Sequence, residues 1–175
     1  SIVPTEAVAQ QVIDPKKQTI YNVYTAQVHD DFESELIFNL ENKQDSKLIS
    51  QRQKCQIITS AGFYTETNQP IGWLKSQGQE YPFKLNRLFN GFFWLDQENQ
   101  FHISDKPPVS NQAQFGFQTG PILISQSRLQ QLQLSSDKSA RRVFALKTSS
   151  DQTILGMITR NKNQIDGPYL RDLGR

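Results

Sequence analysis

The sequence is poor in the residues that build disulfides and metal centres. Its 175 residues include one cysteine, Cys55, and two histidines, His29 and His102. A single cysteine excludes an intrachain disulfide and a cysteine-rich zinc site, and two histidines give little support to a histidine-dominated metal site. We therefore predict no cofactor and no metal, with a carboxylate-bound cation left open.

Long apolar runs are also missing. No stretch approaches the roughly 20 residues of a membrane-spanning helix, so we predict no membrane span. No basic leader followed by an apolar core opens the chain, and we expect a periplasmic or secreted protein whose signal has been removed, with the cytoplasm as the alternative. The 19 basic and 17 acidic residues give a net charge of +2 and no electrostatic reason to expect nucleic acid as a partner.

Two families of loop signature are absent from the sequence. There is no glycine-rich loop ending in Lys-Ser or Lys-Thr, and no GxGxxG pattern follows a strand. There is no GxSxG nucleophile elbow either. The sequence therefore gives no support to a nucleotide-binding protein or an α/β-hydrolase.

What the sequence does contain is a succession of short segments with β-strand patterns. Period-two alternation and β-branched residues predict a single α+β domain over residues 1–175, with a β-rich mixed sheet, several hairpins and a few short helices. Residues 5–13 fit either a short helix or an edge strand, and residues 47–54 either a short helix or an irregular segment. The predicted strands are residues 19–28, 34–41, 56–60, 71–74, 89–95, 100–103, 142–148 and 153–159, and the weaker helical patterns are residues 127–134 and 168–173.

One segment is rich in aromatic residues. It is typical of a buried core, although a stacking platform for a sugar or a base is the alternative. The aromatic residues concerned are Phe89, Phe92, Phe93, Trp94 and Phe101.

Two apolar segments run into glycine turns that carry small polar residues. The first turn holds Ser60 and Gly62, and the second holds Gln118, Thr119 and Gly120. A strand that ends in a glycine turn presents backbone N–H groups and short side chains at a sheet edge, where a binding site can form. Two ordinary strand-turn junctions are the alternative.

Charged residues supply further candidates. Arg142 opens a predicted strand, and a guanidinium can hold a phosphate in a planar fork, although a solvated basic pair with Arg141 is the alternative. Glycoside cleavage requires two carboxylates roughly 5–10 Å apart. The candidates for such a pair are Glu66, Glu80, Asp96, Asp151 and Asp166.

The order of these segments resembles the phosphodiester glycosidase family, the N-acetylglucosamine-1-phosphodiester α-N-acetylglucosaminidase-like domains. The motifs that carry the resemblance are IITSAGFY at residues 57–64, QTGP at residues 118–121, and an arginine that opens a hairpin. The resemblance extends from about residue 19 to the C-terminus. Ser60 stands where the family has Asn, and the family's late Asp-Gly-Gly motif is missing, so we expect the domain to be incomplete at its C-terminus.

The resemblance implies a pocket that binds a carbohydrate or a sugar phosphate. It would be formed by Ser60, Gly62, Gln118 and Thr119, with backbone amides near Gly120, and Arg142 would hold the phosphate. We therefore expect hydrolysis of a sugar–phosphate diester or a related glycosidic bond, with no general acid assigned. The alternatives are a non-catalytic carbohydrate-binding or cell-envelope-binding module, and an assembly protein whose sheet is completed by a second copy or a partner chain.

Overall fold

The computed structural model describes residues 8–160 and 166–175 of the chain. Their strands pair only in antiparallel fashion, which confirms a β-rich fold; no parallel pairing of the expected mixed sheet occurs in this part of the chain. The strands are β1 (Val8–Ile13), β2 (Ile20–Val28), β3 (Leu74–Ser76), β4 (Gln79–Glu80), β5 (Gly91–Asp96), β6 (Phe101–Ser104), β7 (Ala113–Thr119), β8 (Ile124–Ser125), β9 (Arg128–Leu129), β10 (Arg142–Lys147) and β11 (Thr153–Arg160), and the helices are α1 (Ser46–Gln53) and α2 (Leu170–Leu173).

The chain divides into two compact units where the sequence pattern suggested one domain. The first unit consists of Ser1–Val28, Asp45–Ser60 and Leu134–Arg175, and the second consists of His29–Gln44 and Ala61–Gln133. Among the described residues, no helix has the length and apolar character needed to cross a membrane.

The first unit is built on a four-stranded sheet in the order β1-β2-β11-β10. Its buried hydrophobic residues include Tyr21, Ala26 and Ile158, with Ala26 opposite Leu155 in the register of β2 and β11. All six residues of β1 are exposed at the sheet edge, so the edge-strand alternative is confirmed over residues 8–13, and residues 5–7 lie outside the described part.

Helix α1 confirms the helical alternative for residues 47–54. The Asp45 carboxylate caps its N-terminus by accepting a hydrogen bond from the backbone N–H of Lys47 at 2.7 Å. The helix ends where Lys54 adopts a left-handed conformation with φ of 53°. This short helix buries Ile49.

The second unit is built on a five-stranded sheet in the order β4-β3-β7-β5-β6, with β7 at its centre. Trp73, Phe92 and Ala113 form its buried cluster, in which the Trp73 side chain is 1% exposed. Phe93 is also buried and stacks on Phe101 with ring centroids 4.9 Å apart. The core interpretation of the aromatic segment is therefore confirmed for Phe92 and Phe93. The predicted hairpins at β5–β6 and β10–β11 are present.

Three predicted elements are wrong. Residues 34–41 form no strand: Ser76 Oγ donates to the backbone carbonyl of Leu36 at 2.7 Å, and the Phe38 ring stacks on Tyr81 at 5.2 Å. Residues 56–60 pair with no strand and end the Asp45–Ser60 segment of the first unit.

Residues 127–134 form no helix, although their leucine spacing favoured one. The strand pair β8–β9 occupies this region, joined by a tight turn at Gln126 and Ser127 with φ of 49° and 61°. A two-residue hairpin turn of this kind places both central residues at positive φ, and a continuous helix cannot include them.

Candidate functional site

The two glycine turns meet in the second unit, at the end of β7. A Cβ on Gly62 would lie 3.6 Å from the Gln118 carbonyl oxygen and 3.5 Å from the Phe117 ring, so the first turn packs directly on β7. A Cβ on Gly120 would lie 3.2 Å from the backbone nitrogen of Gly91, which begins β5. We call this place the glycine-turn corner and define it by Gly62, Phe63, Phe89, Thr119 and Gly120.

Gln118 holds the corner together through its side-chain amide. Its Oε1 accepts a hydrogen bond from the backbone N–H of Trp73 at 3.0 Å, and its Nε2 donates to the carbonyls of Asn86 at 2.9 Å and Phe89 at 2.7 Å. The residue is only 2% exposed. Both donor hydrogens of the side-chain amide are thus used within the protein. Gln118 therefore has a structural role, and its side chain has no N–H left for a ligand.

Gly72 is the position that makes room for this amide. A Cβ there would lie 2.0 Å from Gln118 Oε1, and Gly72 also has a φ of 81°. Only glycine tolerates both the close approach and the left-handed backbone without displacement of the Gln118 side chain.

Two exposed aromatic residues follow the first glycine turn. Phe63 stacks on Phe89 with ring centroids 4.4 Å apart and an interplanar angle of 20°, yet Phe63 is still 46% exposed. Tyr64 is 60% exposed and forms a β-bridge with Pro70. Large aromatic side chains with this exposure offer an apolar face to a ligand.

Polar groups lie near the stacked rings of Phe63 and Phe89. Asn90 Oδ1 accepts a hydrogen bond from the backbone N–H of Ile122 at 2.9 Å, while no described residue accepts from its Nδ2. Thr119, half-buried, lies opposite Gly91 in the register of β7 and β5. The corner therefore combines an aromatic surface with amide and hydroxyl groups.

Ser60 and Arg142, the other two predicted site residues, belong to the first unit. Ser60 is exposed. The guanidinium of Arg142 is engaged within the first unit: Nη2 donates to the Lys138 carbonyl at 2.6 Å and lies 3.5 Å from Asp137 Oδ1, and Nε donates to the Pro168 carbonyl at 3.4 Å.

The candidate carboxylates are dispersed. Glu80 accepts hydrogen bonds from Trp73 Nε1 at 2.7 Å and Ser110 Oγ at 2.6 Å, and these bonds lower its pKa. Asp151 is 80% exposed and pairs with Lys147. Glu66 is exposed, and Asp166 lies in the first unit.

Asp96 belongs to a hydrogen-bonded polar group of the second unit. His102 Nε2 lies 2.7 Å from Asp96 Oδ2, and Asp96 Oδ1 accepts the backbone N–H of Glu98 at 2.8 Å and of Gln100 at 2.9 Å. Burial acts to raise the pKa of Asp96, but the hydrogen bonds from His102 and from the two backbone amides lower it below its ordinary value. The imidazole stacks on Trp94 at 4.2 Å.

This aspartate–histidine pair is remote from the glycine-turn corner. Asp96 ends β5, whereas Gly91 begins it beside Gly120. Five residues of extended strand span about 17 Å. No group of three or more His, Cys, Asp or Glu side chains suited to a metal ion occurs in the described part of the chain.

Three residues at or beside the corner, Phe63, Tyr64 and Asn90, were not predicted from the sequence. The available signal was a Phe-Tyr pair directly after the glycine turn, where a solvent-facing loop gives large aromatic residues no core to enter. Comparison of the chain with protein-family models, curated proteins and solved structures found no match.

Proposed function

We propose that the second unit binds a carbohydrate at the glycine-turn corner. The observation that carries this proposal is the Phe63–Phe89 ring pair, stacked at 4.4 Å beside closely packed glycines and still exposed at Phe63. The C–H face of a sugar ring packs against an aromatic face, and its hydroxyls hydrogen-bond to nearby polar groups. Asn90 Nδ2 and Thr119 Oγ1 are suitable partners for those hydroxyls.

Binding without turnover is the function that this arrangement favours. The amide N–H donors of Gln118 are used by two carbonyls of the protein, and the Arg142 guanidinium is engaged inside the other unit. These N–H donors are therefore already used within the protein. A periplasmic or secreted location, where envelope polysaccharides occur, suits such a binding module.

The test is a titration of the full chain with a panel of neutral sugars and sugar 1-phosphates, followed by calorimetry or by NMR. Substitution Phe63→Ala removes the exposed ring and is expected to weaken binding by about threefold to tenfold, the usual value of one aromatic contact. Phe83→Ala is the matched control, because Phe83 is also an exposed phenylalanine of the second unit, at 38%. Equal affinity of wild type and Phe63→Ala for every bound sugar would refute the proposal.

Hydrolysis of a sugar–phosphate diester is the second candidate. Its support is that Gly62 packs near Gln118, so the IITSAGFY and QTGP motifs of the phosphodiester glycosidase pattern lie side by side. Release of a chromogenic phenol from a sugar phosphodiester, compared between wild type and Arg142→Lys, tests it. Turnover that falls in the variant while the unfolding midpoint stays unchanged supports hydrolysis, and a wild type without turnover rejects it.

A further inference from the structure

Charge is divided unevenly between the two units. The first unit holds 13 basic and 7 acidic residues, and the second holds 6 basic and 10 acidic residues. The net charge of +2 is therefore the sum of +6 on the first unit and −4 on the second unit. A strongly basic unit attracts anionic partners even when the whole chain is nearly neutral.

The basic residues concentrate around the C-terminal segment of the first unit. Asp137 Oδ1 and Oδ2 accept the backbone N–H groups of Leu170 at 2.9 Å and Arg171 at 3.1 Å, and Oδ1 also faces Arg142. Asp172 pairs with Lys17 at 2.7 Å and with Arg175 at 3.7 Å, and Asp166 pairs with Arg160 at 3.1 Å. We call this network the C-terminal clamp; it comprises Lys17, Asp137, Arg142, Arg160, Asp166, Arg171, Asp172 and Arg175.

Within the clamp the carboxylates lie beneath the cations. The side chains of Asp137, Asp172 and Asp166 are 8%, 14% and 26% exposed. Three of the cations reach further into solvent, with side-chain exposures of 42%, 52% and 61% for Lys17, Arg160 and Arg175, whereas Arg142 is 23% exposed. Each carboxylate is thus less exposed than its cationic partner, and three of the positive charges face outward.

Two further cations flank the clamp. Lys138 and Arg141 are exposed, and within the described residues neither forms an ion pair. Both lie in the loop that packs on the C-terminal segment, where the Lys138 carbonyl accepts from Arg142 and the chain at Ala140 and Arg141 approaches Gly167. Their ammonium and guanidinium groups add to the outward positive charge.

We propose that the C-terminal clamp and its two flanking cations bind an acidic polysaccharide. The cations are spread over four stretches of chain, at residues 17, 138–142, 160 and 171–175, which suits a polymer with regularly repeated charges and not a single small anion. A single-stranded nucleic acid would also require exposed rings for base stacking. At the clamp, the Lys17 ammonium nitrogen lies 4.8 Å and the Arg171 guanidinium carbon 4.6 Å from the centroid of the Tyr169 ring. Cations of the protein therefore already cover this ring.

The experiment measures the affinity of the full chain for polygalacturonate, a polymer of uronic acids, with neutral dextran as the uncharged comparison. Wild type is expected to bind polygalacturonate at low ionic strength and to lose that affinity as salt is added, whereas any affinity for dextran is expected not to depend on salt. The double substitution Lys138→Ala/Arg141→Ala removes two cations without disturbing an ion pair of the clamp. It is expected to weaken binding about tenfold.

The matched control is Lys84→Ala/Arg87→Ala, which removes two exposed cations from the second unit and changes the net charge equally. Its affinity for polygalacturonate is expected to equal that of wild type. Equal weakening by both double variants, or no binding by wild type, would overturn the proposal. Tighter binding of a single-stranded oligonucleotide than of polygalacturonate would overturn the choice of polymer. The proposed sugar site of the second unit is independent of this result, because Phe63→Ala leaves every cation of the clamp in place.

Discussion

The Gln118 side-chain oxygen accepts the backbone N–H of Trp73 at 3.0 Å, and the same amide donates to two further carbonyls. Substitution Gln118→Ala leaves these backbone groups without their partner in a buried place. We expect it to lower the free energy of unfolding by roughly 2–4 kcal/mol. Urea denaturation measures the change, and the exposed Gln131→Ala serves as control with an effect within about 0.5 kcal/mol. A Gln118→Ala variant that is as stable as wild type and has lost only sugar binding would contradict a structural role for the Gln118 amide.

Gly72 and Gly78 provide a matched pair for the close approach on Gln118. Both have positive φ, 81° and 75°, but a Cβ on Gly78 meets nothing within 4 Å, whereas one on Gly72 would overlap Gln118 Oε1. Gly78→Ala should therefore cost only the strain of a left-handed residue, about 1–2 kcal/mol. Gly72→Ala should cost about 2 kcal/mol more, because the Gln118 amide must move away from its partners. Equal unfolding midpoints for the two variants would disprove this explanation.

Asp96 should stabilise the second unit at neutral pH and not in acid. Its pKa is lower in the folded protein than in the unfolded chain, so its contribution is fully present above the unfolded pKa of about 3.9 and is lost as the pH falls through the folded pKa. Asp96→Asn should therefore be less stable than wild type at neutral pH, with the difference shrinking as the pH falls below the unfolded pKa of about 3.9. Glu98→Gln, a change of the same kind in the same turn, is the control variant. Urea unfolding across this pH range decides between them.

Asp137 should control the attachment of helix α2. Its carboxylate accepts the two backbone N–H groups that begin the helix, so Asp137→Ala removes both bonds at once. We expect the amides of Leu170–Leu173 to exchange with solvent at least tenfold faster, a local effect with little change in the second unit. Asp151→Ala, which removes a carboxylate that is 80% exposed, is the control. Unchanged exchange in α2 would show that other contacts hold the segment.

Sequence patterns predicted the sheets better than the loops, for a physical reason. Strands β2 and β11 are rich in β-branched and aromatic residues, and both were predicted nearly to their ends. Residues 34–41 carry a period-two alternation, but they form no strand: the Leu36 carbonyl accepts from Ser76 of β3, and the Phe38 ring stacks on Tyr81. Alternation reports burial of every second side chain and does not reveal whether a neighbouring strand is available.

The candidate site shows a similar limit of sequence patterns. Two glycine turns were predicted, and their glycines lie at the end of β7, where Gly62 packs near Gln118 and Gly120 near Gly91. The partners of Gln118 could not be predicted, because they are backbone groups of residues 73, 86 and 89, and backbone groups carry no sequence signal. Arg142 has the chemistry of a phosphate ligand in any sequence, and only the fold reveals that Asp137 and two carbonyls surround it.

The pairing of β2 with β11 has a consequence for the order in which the protein can form during synthesis. Ile20–Val28 is synthesised well before its sheet neighbour, Thr153–Arg160. Every strand of the second unit's five-stranded sheet lies between them in the sequence and can pair before β11 exists. Closing so long a loop is slow, so β2 is expected to stay unpaired on that side until β11 has been made.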